Sequence, residues 1–344
     1  NVCVDFSFFR HRLSGTIEYY NKYSVDLLAA INGSPTQGFG YTTLMTNNGK
    51  MVNRGVEITL SGEIIRQKDF SWNASLLYAF NRNKVKHISV QPSLWDSRIS
   101  MPTSYPMVGK PLYGIYAYKW AGLNENGDPQ VYDAENNVTS GPARDYHALV
   151  YCGTTVPIHN ASLTNVLRYK GFEFSAMLIL DAGHKLRSSN IPSINMSNGR
   201  ITSTAKGIVD RWTQPGDVTD VPRLLFSNDT ENFNTHRTEL YRYSDLFVYD
   251  ASNIRLSNIS LAYRVPAHWC KKISLSGARL QFNVENVATF AFDSNDDEDT
   301  KLINIEADNN EWFLYSTTGV RVLDNGNYTY RLKLEINKFY TLER

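Results

Sequence analysis

The stretch Phe70-Ser71-Trp72-Asn73-Ala74-Ser75-Leu76-Leu77-Tyr78-Ala79-Phe80-Asn81 decides the fold. Phe70, Trp72, Ala74, Leu76, Tyr78 and Phe80 occupy alternate positions, and Ser71, Asn73, Ser75 and Asn81 fall between them. Successive side chains of a strand point to opposite faces. The stretch therefore predicts one strand with an apolar face and a wet face. It is about twice as long as an ordinary strand of about 5–6 residues. It matches the roughly 9–11 residues of a tilted strand that crosses a bilayer.

Working outward, the same period of two recurs. Ile17, Tyr19, Tyr23, Val25 and Leu27 oppose Thr16, Glu18, Lys22, Ser24 and Asp26. Val56, Ile58 and Leu60 oppose Glu57, Thr59, Ser61 and Glu63, and Phe172, Phe174, Ala176, Leu178 and Leu180 oppose Glu173, Ser175 and Asp181. Leu280, Phe282 and Val284 alternate with Arg279, Gln281, Asn283 and Glu285, and residues 328–337 repeat the pattern. Two segments are less regular. The phase slips near Asn258, which predicts a bulge, and Asn165 stands among the apolar positions of 161–169.

These patterns predict nine long strands, at 2–10, 14–27, 53–63, 69–82, 159–169, 171–182, 252–264, 277–287 and 327–340. Short connections (11–13, 65–68, 170–171 and 265–276) alternate with long ones (28–52, 83–158, 183–251 and 288–326). Outer-membrane barrels have this parity, with short periplasmic turns and long extracellular loops. Tyr19, Phe70, Trp72, Phe80, Tyr169, Phe172, Tyr263 and Tyr328 stand near strand ends, where aromatic girdles sit. Single-chain bacterial barrels have even strand counts. The expectation is thus an all-β, antiparallel transmembrane barrel, with residues 1–344 forming its C-terminal portion.

Composition agrees with this reading. The chain has 344 residues, and 35 Lys and Arg nearly cancel 34 Asp and Glu. That balance excludes a strongly basic nucleic-acid binder and an acidic tail. No apolar run is long enough for a membrane-spanning helix, but a barrel hides its lipid face in alternate residues. The chain opens on Asn1 without a signal-peptide pattern, as a mature protein or a piece of a longer one would. Cys3, Cys152 and Cys270 make no disulfide or zinc spacing.

Several segments, taken in order, resemble the C-terminal barrel region of the SusC/RagA-type TonB-dependent transporters of Bacteroidetes. Asn47-Asn48-Gly49-Lys50-Met51-Val52-Asn53-Arg54-Gly55-Val56-Glu57 is similar to the family's loop-to-strand approach. Gly122-Leu123 with Gly127-Asp128-Pro129 resembles its extracellular hairpin, and Tyr169-Lys170-Gly171-Phe172 its tight periplasmic turn. Arg211-Trp212, Pro215-Gly216-Asp217, Thr219 and Pro222-Arg223 resemble a long-loop signature. Ser244-Asp245, Val248 and Asp250-Ala251-Ser252, with Ile254-Arg255-Leu256, resemble the next strand start.

The resemblance implies a barrel of about 22 strands around a plug, in the bacterial outer membrane and in contact with its lipid. It implies TonB-dependent import of an oligosaccharide or oligopeptide, with a SusD-like surface lipoprotein as partner, TonB acting through the plug, and no cofactor. The sequence departs from the pattern in lacking the plug and early strands. It also carries Asp293-Ser294-Asn295-Asp296-Asp297-Glu298-Asp299 where the family has an aromatic stretch, and it continues to Arg344 beyond Tyr340.

The long loops carry Trp95, Tyr105, Tyr113, Tyr116, Tyr118, Trp120, Tyr146 and Trp312 among Asn and Asp. Flat rings and amides suit a glycan or peptide, which makes these the candidate substrate contacts; long loops also need rings for their own packing. Asp293, Asn295 and Asp297 resemble the start of a calcium loop, although Glu298 stands where the turn glycine belongs. Residues 203–213 read as helix-like, with Ile208, Val209 and Trp212 on one side. The seven histidines show no paired ligand spacing, and no nucleophile elbow or phosphate loop occurs. Glu57 and Glu63 are better explained as lumen charge than as a glycosidase pair. The chain is expected not to be an enzyme. A soluble or surface β-sandwich that binds glycans as an adhesin is the alternative reading.

Overall fold

The alternation builds one sheet of nine antiparallel strands in chain order. The computed structural model describes residues 1–32, 36, 38, 43–89, 96–141, 145–196, 206–226, 235–272, 277–292 and 330–337. The strands are β1 (Val2–Phe8), β2 (Leu13–Asn32), β3 (Thr43–Arg66), β4 (Phe70–His87), β5 (His159–Tyr169), β6 (Phe172–Ala182), β7 (Asn253–Val265), β8 (Gly277–Ala291) and β9 (Tyr330–Asn337). Each pairs with its neighbours in sequence, so the sheet is a continuous meander.

Register puts the apolar residues of successive strands side by side. Val4, Ile17, Ile58, Tyr78, Ala161, Leu180, Ile254 and Phe290 form one row across eight strands. This face is not a sandwich core, because its side chains are open: Val4 is 56% exposed, Ile17 43% and Phe172 50%. A sheet that offers a continuous apolar face outward is a membrane wall. The opposite face carries a polar ladder. Thr16 donates to Asp5 at 2.6 Å, Asn83 to Asn53 at 2.7 Å and Asn160 to Asp181 at 2.6 Å. Near the short-turn end, Glu173 accepts from Arg168 at 2.7 Å and from Arg279 at 3.0 Å.

The height of the apolar band follows from β4 and β5. The part of β4 that pairs with β5 runs from Phe70, opposite Tyr169, to Phe80, opposite His159. Ten steps at about 3.3 Å, tilted by 35–45°, give roughly 25 Å, the height of an outer-membrane apolar band. At the lower edge Phe70, Tyr169, Phe172 and Tyr263 lie in one row, with the rings of Phe172 and Tyr263 4.5 Å apart. At the upper edge Tyr19, Val56, Phe80 and His159 form another.

The structure corrects the strand bounds at that upper edge. Residues 28–52, expected as a long loop, are largely strand: β2 runs on to Asn32 and β3 begins at Thr43. The pairing shifts register at Ser24/Leu27 and again at Leu27/Leu28, with Asp26 at a positive φ of 55°. Those bulges flip the phase and end the visible alternation. From Val56 to Thr43 the ribbon rises a further 30 Å or so above the apolar band. β4 likewise continues to His87 and β8 to Ala291.

The expected bulge near Asn258 is present, as a register shift between Leu256 and Asn258. The turn at Lys170-Gly171 is as tight as expected, with Lys170 at a φ of 53°. The 265–276 connection contains a short helix, Ala267–Lys272, that alternation could not reveal.

Candidate functional site

The described residues of the connections 83–158 and 183–251 fold together into one layer at the long-loop end. Its core is Tyr116, Tyr118, Val131, Ala148 and Leu149 from the first connection with Leu240 from the second. Tyr241, Ile194 and Phe247 form an adjoining cluster. Leu240 and Tyr241 come from the helix Thr235–Arg242, which the sequence reading did not anticipate. The layer is seated on β4, whose Val85 exchanges backbone hydrogen bonds with Gly109 and Lys110.

Polar contacts lock the two connections together. Asp128 is the centre. Arg223 donates to its two carboxylate oxygens at 3.0 and 2.9 Å, and Arg237 Nε donates to Oδ1 at 2.7 Å. The Arg237 side chain is 3% exposed and also donates to Asn195 Oδ1 at 2.6 Å and to the Arg223 carbonyl at 2.7 Å. Burial pushes its guanidinium below the ordinary range, and the Asp128 carboxylate opposes that shift. Arg187 donates to the Tyr116 carbonyl at 2.7 Å and the Ser244 carbonyl at 3.2 Å. Trp120 is held at both ends, its backbone N–H on Asp245 at 2.8 Å and its indole N–H on Asp220 at 2.9 Å.

Motifs far apart in sequence meet here. Gly127 has a φ of 73°, and a Cβ added to it would collide with the Trp212 ring. Arg223 follows Pro222 and closes on Asp128. The hairpin Gly127-Asp128-Pro129 and the loop segments Arg211-Trp212 and Pro222-Arg223 are thus two halves of one contact. In the turn between those segments, Asp217 accepts from the Thr213 N–H and hydroxyl, both at 2.8 Å, and from the Gln214 N–H at 3.0 Å. These bonds, the Thr213 N–H foremost, lower its pKa.

At the start of β7, Asp250 accepts from the Ser252 backbone at 2.9 Å and from Lys185 at 3.1 Å. The Ser252 hydroxyl first, then its N–H and Lys185, hold the carboxyl down at about 2.

The aromatic candidates separate by environment. Tyr116 and Tyr118 are each 1% exposed and pack the core of the layer. Trp120 and Tyr146 are half-buried against that core, Tyr146 with the Arg98 guanidinium 4.6 Å from its ring centre. Tyr105 is partly open and Tyr113 is 49% exposed. Trp95, Trp312, Asp293, Asn295 and Asp297 lie outside the described residues. Of the helix-like stretch, Lys206–Asp210 forms a 3-10 helix, and Trp212 packs inside the layer on Gly127. Among the described residues no cluster of His, Cys, Asp and Glu could hold a metal.

Comparison with known proteins bears on this arrangement. The family model described as TonB dependent receptor-like, beta-barrel, matches residues 4–287. TonB-dependent receptor P3 of Formosa agariphila is 25% identical over 343 residues, covering 94% of this chain and 32% of that protein. TonB-dependent receptor SusC of Bacteroides thetaiotaomicron is 24% identical over 300 residues, covering 83% of this chain and 28% of that protein. Among solved structures, the RagAB peptide transporter matches with a TM-score of 0.66 at 21% identity, over 85% of this chain and 31% of that one. This chain spans about a third of the length of these relatives.

Proposed function

The chain belongs to the TonB-dependent receptor-like β-barrel family of the outer membrane, and from that premise we propose that it supplies the C-terminal wall and part of the extracellular loop layer of a SusC/RagA-type importer. The single observation that carries the proposal is the outward apolar face, about 25 Å tall, joined to a polar inner face and a folded layer at one end. A wall of this kind separates lipid from a hydrated lumen. Within it, residues 1–344 form one part of a single barrel domain whose plug and early strands are supplied elsewhere in the receptor.

The proposed cargo is an oligosaccharide or oligopeptide. The RagAB relative is described as a peptide transporter, and the loop layer offers an exposed ring at Tyr113 and a partly exposed one at Tyr105. The proposed cycle has a SusD-like lipoprotein deliver substrate onto this layer, after which TonB acts on the plug. The layer's interlocked core makes it a rigid rim for such a partner. The residues of this chain guide the substrate and line its path, and they carry out no bond-breaking step.

Uptake by cells expressing the full-length receptor tests the reading. Labelled oligopeptides and oligosaccharides should enter in a TonB-dependent manner, and deletion of the gene for a SusD-like lipoprotein partner should lower uptake. Entry that is indifferent to loss of TonB would overturn it. Purified receptor should require detergent and migrate differently on gels before and after heating.

A further inference from the structure

Just above the upper aromatic edge, the outward face changes from apolar to cationic. Phe80 faces lipid, so the alternate residues Arg82 and Lys84 continue on its face beyond the membrane band. Arg54 continues the face of Val56 in the same way. Register sets Arg54 directly opposite Arg82, and Val52 opposite Lys84. Lys86 follows on β4, at the register shift. Arg54, Arg82, Lys84 and Lys86 are all exposed. None of them forms an ion pair with a described residue. Arg54 is steadied by a hydrogen bond from Nε to Asn21 Oδ1 at 3.2 Å.

Like charges directly opposite on neighbouring strands destabilise a sheet. A bridging anion removes that cost, and arginine presents a planar fork suited to phosphate oxygens. The position selects the source. The first cations stand two residues beyond the aromatic edge, about 5 Å higher along the membrane normal, on the lipid side of the wall and at the long-loop end. That is the headgroup level of the outer leaflet.

We propose that Arg54, Arg82 and Lys84, with Lys86 above them, form a binding site for the phosphate groups of the anionic glycolipid that makes up the outer leaflet. The site rests on the chain's place in the outer membrane and not on its transport activity, so lipid binding and uptake succeed or fail separately. The glycolipid would fasten this stretch of wall at a fixed depth, at the foot of the tall β2–β3 ribbon.

The test is native mass spectrometry of the detergent-purified full-length receptor. The probes are phosphorylated lipid A, its dephosphorylated counterpart and phosphatidylglycerol. Wild type should retain phosphorylated lipid A in preference to both other probes. The triple variant Arg54→Gln, Arg82→Gln and Lys84→Gln should retain at least tenfold less, since each cation near an anionic surface contributes about fivefold. The variant Arg54→Lys with Arg82→Lys should retain an intermediate amount, because charge survives and the fork is lost. Unchanged heat-modifiable migration verifies that each variant is folded. Equal retention by wild type and the triple variant would overturn the site. So would equal retention of dephosphorylated lipid A, or of phosphatidylglycerol. Loss of an acidic lipoprotein partner with lipid retention unchanged would assign the patch to a protein and overturn the proposal.

Discussion

Trp72 donates its indole N–H to Asn165 Oδ1 at 3.1 Å across the β4–β5 pair. Asn165 is opposite Ala74 on one side and Ala176 on the other, so small neighbours leave room for the indole to reach it. A carboxamide on the lipid face has no water to satisfy it, and the tryptophan supplies the partner. Trp72→Phe should therefore destabilise the folded receptor by about 1–3 kcal/mol. Adding Asn165→Leu should recover most of that loss. Denaturant titrations read by heat-modifiable gel migration would show it; equal loss in single and double variants would contradict the pairing.

The two faces of β5 should respond oppositely to charge. Leu163 lies between Leu76 and Leu178 near the middle of the apolar band. Leu163→Arg should cost about 2–4 kcal/mol, as a lipid-facing cation at the midplane does. The adjacent Thr164 is on the polar face, and Thr164→Arg should cost far less than Leu163→Arg. Refolding yields into lipid vesicles would separate the two variants.

Removing Asp128 should loosen the loop layer while leaving the wall intact. Asp128→Ala strands Arg237, a buried guanidinium that loses its carboxylate partner, at a cost of about 3–5 kcal/mol. Limited proteolysis should cut residues 115–150 and 206–245 much faster in the variant. Detergent-resistant barrel migration should persist.

Acid should weaken the layer at the foot of β7. Asp250 titrates at about 2 when folded, below its ordinary value of 3.8. A lowered acid stabilises the fold above its ordinary pKa and loses that contribution as pH falls through the folded value. Hydrogen exchange of the paired segments Lys185–Arg187 and Val248–Asp250, corrected for intrinsic rates, should accelerate between about pH 4 and pH 2. Asp250→Asn should already be accelerated at neutral pH and show a smaller acid response.

The wall was legible in the sequence because each bilayer-crossing strand must alternate. The pairs from Phe70/Tyr169 to Phe80/His159 were readable from period two alone, and even Asn258 announced its bulge. Alternation stopped being informative where the lipid stopped, as at Leu27 and Leu28, where two register shifts hide a continuing ribbon. The loop layer was less legible for a related reason. Its rings were visible, but whether Tyr116 packs or Tyr113 is open depends on contacts between connections distant in sequence. Arg237 left no local signal at all. Only its meeting with Asp128, 109 positions away, gives a buried cation a reason to be there.

Strand order in the wall equals order along the chain, and this has a kinetic meaning. Each strand leaves one row of backbone N–H and C=O groups unfilled, and the strand next along the chain is the one that fills it. The sheet can therefore grow by accretion, like a zip, with no search among alternative partners. Two of the long connections, 83–158 and 183–251, condense in their described residues into a single body with a core of its own. Since β5 and β7 must each wait for a long connection to pass, condensation of that body shortens the effective tether between the strands. In the folded wall that body spans the return from β4 to β5 and from β6 to β7.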